Sequence, residues 1–243
     1  MAQSPSTQSI PQMPLSRARI LQVALQRADA EGLEALSMRK LAQDLGVKAM
    51  SLYNHVANKD DIIDGMVDLV VEEIALPSLE VDWQTAMRQR ATSAHAVLLR
   101  HPWATMAMMS RVNVGPAMLR YIEATLACLV EAGFSYPLAD YVWNAIDSHV
   151  YGFTLQALNF PFEADEYAAV AKDYVAMIPP EQYPYLNQLT HHVIDGRHDG
   201  LHDVEFGLTI LLNGLEQLRS TTEHKQIEPS PRGQAPNPPD VGA

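Results

Sequence analysis

The stretch Ser37 to Lys59, SMRKLAQDLGVKAMSLYNHVANK, most constrains what this chain can fold into. Ser37 is placed to cap one short helix, Gly46 sits in the turn that ends it, and Lys48 to Asn54 suit a second helix, the sequence form of a helix-turn-helix. In such a unit Leu41, Leu45, Val47, Leu52 and Val56 must hold the two helices together, which leaves the polar residues between them facing outward. The second helix is then shaped for a DNA major groove, although turn and periodicity alone equally allow a plain helical hairpin.

Composition points the other way. A formal net charge of −12 over 243 residues argues against a protein that coats nucleic acid or an anionic membrane non-specifically, so DNA binding needs a local basic face. The single cysteine, Cys128, allows no internal disulfide, fits a reducing cytoplasmic compartment and suits a small buried apolar position. MAQSPSTQSIPQMP has neither the basic start nor the apolar run of a signal peptide, and the apolar stretch Met66 to Leu76 is broken by Asp68, Glu72 and Glu73, so no membrane span is expected.

The periodicity is helical almost throughout, which predicts an all-α fold: an N-terminal helix-turn-helix domain and a second, larger helical domain. Residues 1–14 and the Pro-rich 221–243 are expected as disordered tails, 15–76 as the first domain and 77–220 as the second, with the boundary at Pro77. Ser16 should cap a helix ended by Gly32, Asn58 a helix carrying Ile62, Met66, Leu69, Val70 and Ile74, and Asp82 a helix running to Arg100. Gly115-Pro116 and Pro137 open two more, and a shorter one lies between Glu163 and Met177. In the final helix, Asp203 to Arg219, Val204, Leu208, Leu211, Leu215 and Leu218 mark one apolar face. Phe206 and Ile210 carry apolar character round a second, which a symmetric partner would cover.

The outward set of the unit is Lys48, Ala49, Met50, Ser51, Tyr53, Asn54 and His55. Lys48 and Asn54 suit base edges, and Ala49 and Met50 a thymine methyl. Arg39, Tyr53, His55 and Lys59 suit phosphate oxygens, with Arg17 and Arg19 adding to the same face, while the acids from Asp60 to Glu73 must point away from the duplex. The run Leu36 to Lys59 closely resembles the DNA-binding segment of the tetracycline-repressor (TetR) family, through RKLAQ-x-LGV, LY-x-HV and NK. LLRHPWA, VEAGF at 130–134 and EFGLTILLNGLEQL at 205–218 look like that family's C-terminal regulatory domain.

The resemblance implies an N-terminal three-helix helix-turn-helix DNA-binding domain plus a larger helical ligand-binding and dimerisation domain, in a homodimer with the helices around Pro137 to Asn159 and Asp203 to Arg219 forming a four-helix interface. It also implies double-stranded operator DNA as partner, and DNA contacts at Arg39, Lys48, Ala49, Met50, Ser51, Tyr53, Asn54, His55 and Lys59. Departures from the tetracycline repressor at Met38, Ala49-Met50 and Asn54 imply a different operator. The histidine and glutamate with which the tetracycline repressor holds a drug-bound magnesium ion fall near Met109 and near Gln156 or Ala157, so a magnesium–tetracycline inducer is not expected and no metal or cofactor is called for.

A largely apolar small-molecule effector instead suits Trp103, Met106, Met109, Trp143, His149 and Phe153, with Met108, Tyr121 and Tyr151 beside them; as a plain alternative, these residues fill the core. His191, His192, His198 and His202, among Asp195, Asp199 and Asp203, lie in a stretch that Gly196 and Gly200 make a loop, and no metal framework accompanies them. The resulting expectation is a transcription regulator, repression being the commoner mode, released from a palindromic operator by an effector. The alternatives are a helical scaffold without an operator, or an enzyme, for which no catalytic motif is present.

Overall fold

The computed structural model describes residues 14–162, 166–198 and 203–222. The expected tails beyond these limits lie outside the described residues, as do Asp199, Gly200 and His202. Every described element is helical: α1 Arg17–Glu31, α2 Met38–Leu45, α3 Ala49–Leu52, α4 Lys59–Glu72, α5 Trp83–Arg100, α6 Ala104–Ser110, α7 Pro116–Glu131, α8 Tyr136–Leu158, α9 Tyr167–Tyr174, α10 Pro184–Ile194 and α11 Val204–Thr222.

Capping chemistry sets the starts. The side chains of Ser16, Ser37, Asn58, Asp82 and Ser135 each accept a backbone N–H of the following first turn, which satisfies one donor that the helix itself leaves open. Gly46 ends α2 in the left-handed region at φ 69°, ψ 30°, where a side chain would be strained, and its amide returns to the Gln43 carbonyl. The chain is thereby turned so that α3 crosses α2 over buried Leu41, Leu45 and Leu52. Ile20, Ile62 and Met66 complete that core from α1 and α4.

α4 also packs along α7 and touches α6, so it belongs to both halves of the molecule. Pro77 is buried in the connection between α4 and α5. α5 lies against α8, α7 and α11, and these four helices bury Met87, Leu98, Leu129 and Ile146 in a cluster continuous with the core of the N-terminal helices. α11 differs from its expected phase. Val204, Leu208, Leu212 and Leu215 are buried, whereas Leu218 is exposed with Phe206 and Ile210. The straight four-residue steps from 204 to 212 continue with 215, the drift a 3.6-residue turn requires, and this puts Leu218 on the outer face.

Two helices were not expected. α6 is a single short run after Pro102, and α10 begins at Pro184 and places His191 and His192 in its last turn rather than in a loop.

Candidate DNA-reading face and regulatory core

Lys48, Met50, Tyr53, Asn54 and His55 are exposed along α3 and the turn after it, and Met50 is 75% exposed. A methionine so open on a four-residue helix has no packing role inside the chain. Ser51 and Lys59 are half-buried, and Ala49 packs against the core edge together with Val47 and Met38. Arg39 is exposed on the first turn of α2. Of these nine residues six are on the exposed surface of the module, Ser51 and Lys59 are partly in it, and Ala49 lies against the core edge. Met38 is turned toward the core instead of outward.

Arg17 does not join that surface. Its guanidinium holds both carboxylate oxygens of Asp61 at 2.7 and 2.9 Å, and Asp61 also accepts the Ala57 amide at 2.8 Å. The hydrogen bond from Arg17 is the main cause that keeps Asp61 below the ordinary carboxylate range. The pair ties the start of α1 to the start of α4, so the expectation that Arg17 meets phosphates is corrected: a bidentate fork already occupies it.

Four acids of α4, Asp60, Asp64, Asp68 and Glu72, meet groups of the regulatory half, whereas Asp61 is held by Arg17. Arg111 binds Asp64 at 2.7 Å and Asp60 at 3.1 Å, Asn113 donates to the Asp64 carbonyl, and Arg120 reaches Glu72 at 3.5 Å. Asp68 accepts the Met118 amide at 3.0 Å, capping α7 from another helix. At the other end of α4, Glu73 takes Arg100 at 2.5 Å and His101 at 3.3 Å, while Asp29 of α1 takes His101 and the Trp103 indole, each at 2.8 Å. Exposed pairs of this kind contribute little energy, roughly 0–1 kcal/mol each, so their value lies in fixing the angle between the halves. Asp60, Asp64, Asp68 and Glu72 recur every four residues, which puts them on one helix face and was legible as a pattern.

Deep in the regulatory half, Arg90 of α5 is fully buried. Its Nη2 donates to Asp147 Oδ1 at 2.6 Å, its Nη1 donates to the Tyr121 hydroxyl, and the guanidinium carbon lies 5.0 Å from the Tyr121 ring centre. Asp147 accepts Trp143 Nε1 at 2.6 Å and the Tyr151 hydroxyl at 3.3 Å through its other oxygen. Burial opposes the charge of Arg90, but Tyr121 and Asp147 more than offset it, and its pKa is raised. Burial also drives the Tyr121 and Tyr151 phenols well above their usual range, so both stay neutral. Arg90 Nε and the Thr105 hydroxyl are buried without a partner. Neither Arg90 nor Asp147 was among the expected site residues. The signal was there: on α5 the buried stripe Trp83, Ala86, Met87, Arg90, Ala91, Ala94 carries one charge.

The expected effector residues divide into separate places. Trp103 is engaged with Asp29 at the joint between the halves, and Met106 and Met109 are exposed on α6. On α8, Trp143 belongs to the Arg90 network. The Phe153 ring lies 5.5 Å from His95 and 6.0 Å from His149, whose Nε2 donates to the Val204 carbonyl at 2.9 Å. Burial first, and then the neighbouring His149, lower the His95 pKa, with Asp203 opposing. Among the described residues no group of three or more His, Cys, Asp or Glu is placed to hold a metal ion. No described helix is long and apolar enough to cross a membrane.

An exposed short helix in a helix-turn-helix, joined through a charged seam and a continuous apolar core to a larger helical bundle, defines a DNA-binding regulator with a regulatory domain. Residues 20–66 match the family model for bacterial regulatory proteins, tetR family, and residues 76–219 match the tetracyclin repressor-like C-terminal domain. The chain belongs to the TetR family. It is 31% identical over 220 residues to the HTH-type transcriptional repressor DrrR1 of Streptomyces coeruleorubidus, covering 86% of this chain and 80% of that protein. It is 32% identical over 209 residues to the class D tetracycline repressor protein of Escherichia coli, covering 83% and 89%. The crystal structure of ActR from Streptomyces coelicolor in complex with actinorhodin superposes with a TM-score of 0.72 at 31% identity, covering 85% of this chain and 99% of that one.

Proposed function

We propose that this chain is a dimeric cytoplasmic repressor, without catalytic activity, that occupies a palindromic operator and is released by a small molecule. The observation that carries the reading is the surface around α3: Lys48, Met50, Tyr53, Asn54 and His55 are all exposed there, while Asp60, Asp64, Asp68 and Glu72 of α4 are engaged by the regulatory half and Asp61 by Arg17. Lys48, Asn54, Ala49 and Met50 read base edges and thymine methyls, and Arg39, Ser51, Tyr53, His55 and Lys59 hold phosphates. The exposed Phe206, Ile210 and Leu218 on α11, beside exposed Tyr141 on α8, supply the face for a second copy.

The effector site belongs to the domain of residues 77–220, with Trp143, His149 and Phe153 on its α8 wall and Met106 and Met109 at its α6 edge. ActR takes actinorhodin on the same fold, which supports a small-molecule ligand for this domain. Release follows from geometry. Two reading heads must meet half-sites about 34–36 Å apart, so a ligand that prefers a different angle at the α4 seam lowers operator affinity by linkage.

Gel-shift titration at several salt concentrations tests the site. Tyr53→Ala and Lys59→Ala should each weaken the selective shift, and Lys59→Ala should flatten the salt slope by about one. Wild-type affinity and slope in both variants would remove these residues from the interface.

A further inference from the structure

A cavity of about 320 Å³ opens between the connection that follows α4, the end of α7 and the end of α11, and it shares no residue with Trp143, His149, Phe153, Met106 or Met109. It is also remote from the seam. Asp68 of α4 caps the start of α7 at Met118, and Glu131 at the cavity lies about 20 Å further along that helix at the helical rise. The lining combines two chemistries. Leu79 and Val81 are 55% and 41% exposed, so their apolar surface is open to whatever enters, and buried Trp83 stands beside them. Asp82, Glu131 and Arg219 supply the charges.

Charge decides what can enter. Arg219 donates to Glu216 from Nε at 3.0 Å and from Nη2 at 2.6 Å, and its Nη1 donates to the Ala132 carbonyl at 3.0 Å, so Arg219 and Glu216 cancel. Asp82 accepts the amide and the hydroxyl of Thr85 at 2.9 and 2.6 Å, both neutral donors, and no cation among the described residues meets Glu131. Two carboxylates are therefore left unbalanced. The last turn of α7 ends at the same space and adds the negative end of its dipole. Both acids act on one wall: burial raises the thiol of Cys128 there, Arg90 opposes, and Glu131 and Asp82 add to the rise. A cleft lined by one sign of charge concentrates the opposite ion.

We propose that this cavity is a second ligand site, apart from the effector wall on α8, and that it takes a primary amine in its ammonium form carrying a short alkyl or aryl group. The ammonium has three donors and no acceptor, which suits Glu131 and Asp82 and makes the bonds charge-assisted. The hydrocarbon part covers Leu79 and Val81 and removes their exposed surface from water. Glu131 sets the sign of the ligand, and Leu79 and Val81 set its apolar character. The volume is at the lower end for small-molecule sites, which fits a ligand of this size.

The test is a fluorine NMR titration of the full chain with three probes of one shape: 4-fluorophenethylamine, 2-(4-fluorophenyl)ethanol and 3-(4-fluorophenyl)propanoate. The amine should bind saturably and about fivefold more tightly than the alcohol, the scale of a half-exposed ion pair, with the carboxylate weakest. Raising the salt concentration from about 0.05 to 0.5 M should narrow the gap between amine and alcohol. Glu131→Gln should remove most of that gap, while Val81→Ser should weaken both probes by a similar factor and keep their order. Glu123→Gln deletes the same charge from an exposed position about two turns earlier on α7 and should leave the gap as in wild type. An equal loss in Glu123→Gln would reveal only a general attraction to an acidic chain and would overturn the site. Amine and alcohol bound alike by the wild-type chain, or an unchanged gap in folded Glu131→Gln, overturns it as well.

Discussion

Replacing Gly115 with alanine should reverse the usual sign of a glycine-to-alanine change. Gly115 precedes α7 at φ −62°, ψ 156°, a conformation any residue adopts, so alanine there would ordinarily stabilise by about 0.4–1 kcal/mol through the unfolded state. Here a methyl group would overlap the carboxylate of Asp68 and come within 2.9 Å of its Cβ. Asp68 must then leave the Met118 amide, which forfeits a cap of about 0.5–2 kcal/mol and a charge–dipole contribution of roughly 0.3–1 kcal/mol. The net is a destabilisation of about 1–2 kcal/mol, or a fall in Tm of about 2–8 °C for a chain of this size. Thermal unfolding of the four proteins of a double-mutant cycle, at fixed protein concentration, measures it. In the Asp68→Ala background the same change should be neutral or stabilising. An equal loss in both backgrounds, or a gain in the wild-type chain, would refute the assignment of Asp68 as the cap of α7 across the seam.

Other consequences follow from single residues. Gly46→Ala forces a side chain into the left-handed region at the turn and should cost about 1–2 kcal/mol in urea unfolding, whereas Gly46→Asn should cost less; equal stability of all three proteins would contradict the turn geometry. The His95 pKa in the folded chain lies below its ordinary 6.5, so the unfolded chain takes up the proton first. The stability tied to His95 is therefore complete above pH 6.5 and declines as pH falls toward the folded value. His95→Gln should lose less stability than wild type between pH 7.5 and 5.5, and parallel losses would exclude this linkage. Ile210→Asp places a charge in the exposed α11 face and should shift sedimentation of the chain toward monomer, while an unchanged dimer would move the interface elsewhere.

Local rules carried the reading of the fold as far as they act locally. Ser16, Ser37, Asn58 and Asp82 cap helices because a short polar side chain before an apolar stripe has few other uses, and Gly46 ends α2 for the same kind of reason. The second helix of the unit was expected to run from Lys48 to Asn54, but its helical hydrogen bonding covers Ala49–Leu52, with Tyr53 beginning the turn out. α6 and α10 were missed because seven residues, or eleven that expose most of their apolar side chains, give little periodicity. The pairing of α4's acids needed partners just past α6 and on α7, some fifty residues away, and no local rule pairs Asp64 with Arg111. Arg90 and Asp147 were passed over for a related reason. Each is a charge on an apolar stripe, and only their meeting across α5 and α8 shows that they belong to one buried cluster.

The most direct test of the account is selection of bound sequences by the full chain from random double-stranded DNA. The reading head on α3 and the dimer face on α11 together predict one enriched palindrome, its half-sites centred about 34–36 Å apart or a multiple of that, and its enrichment lost in Tyr53→Ala. Selection that returns no palindrome, or the same motif from Tyr53→Ala, would contradict the assignment of this surface as the operator-reading face.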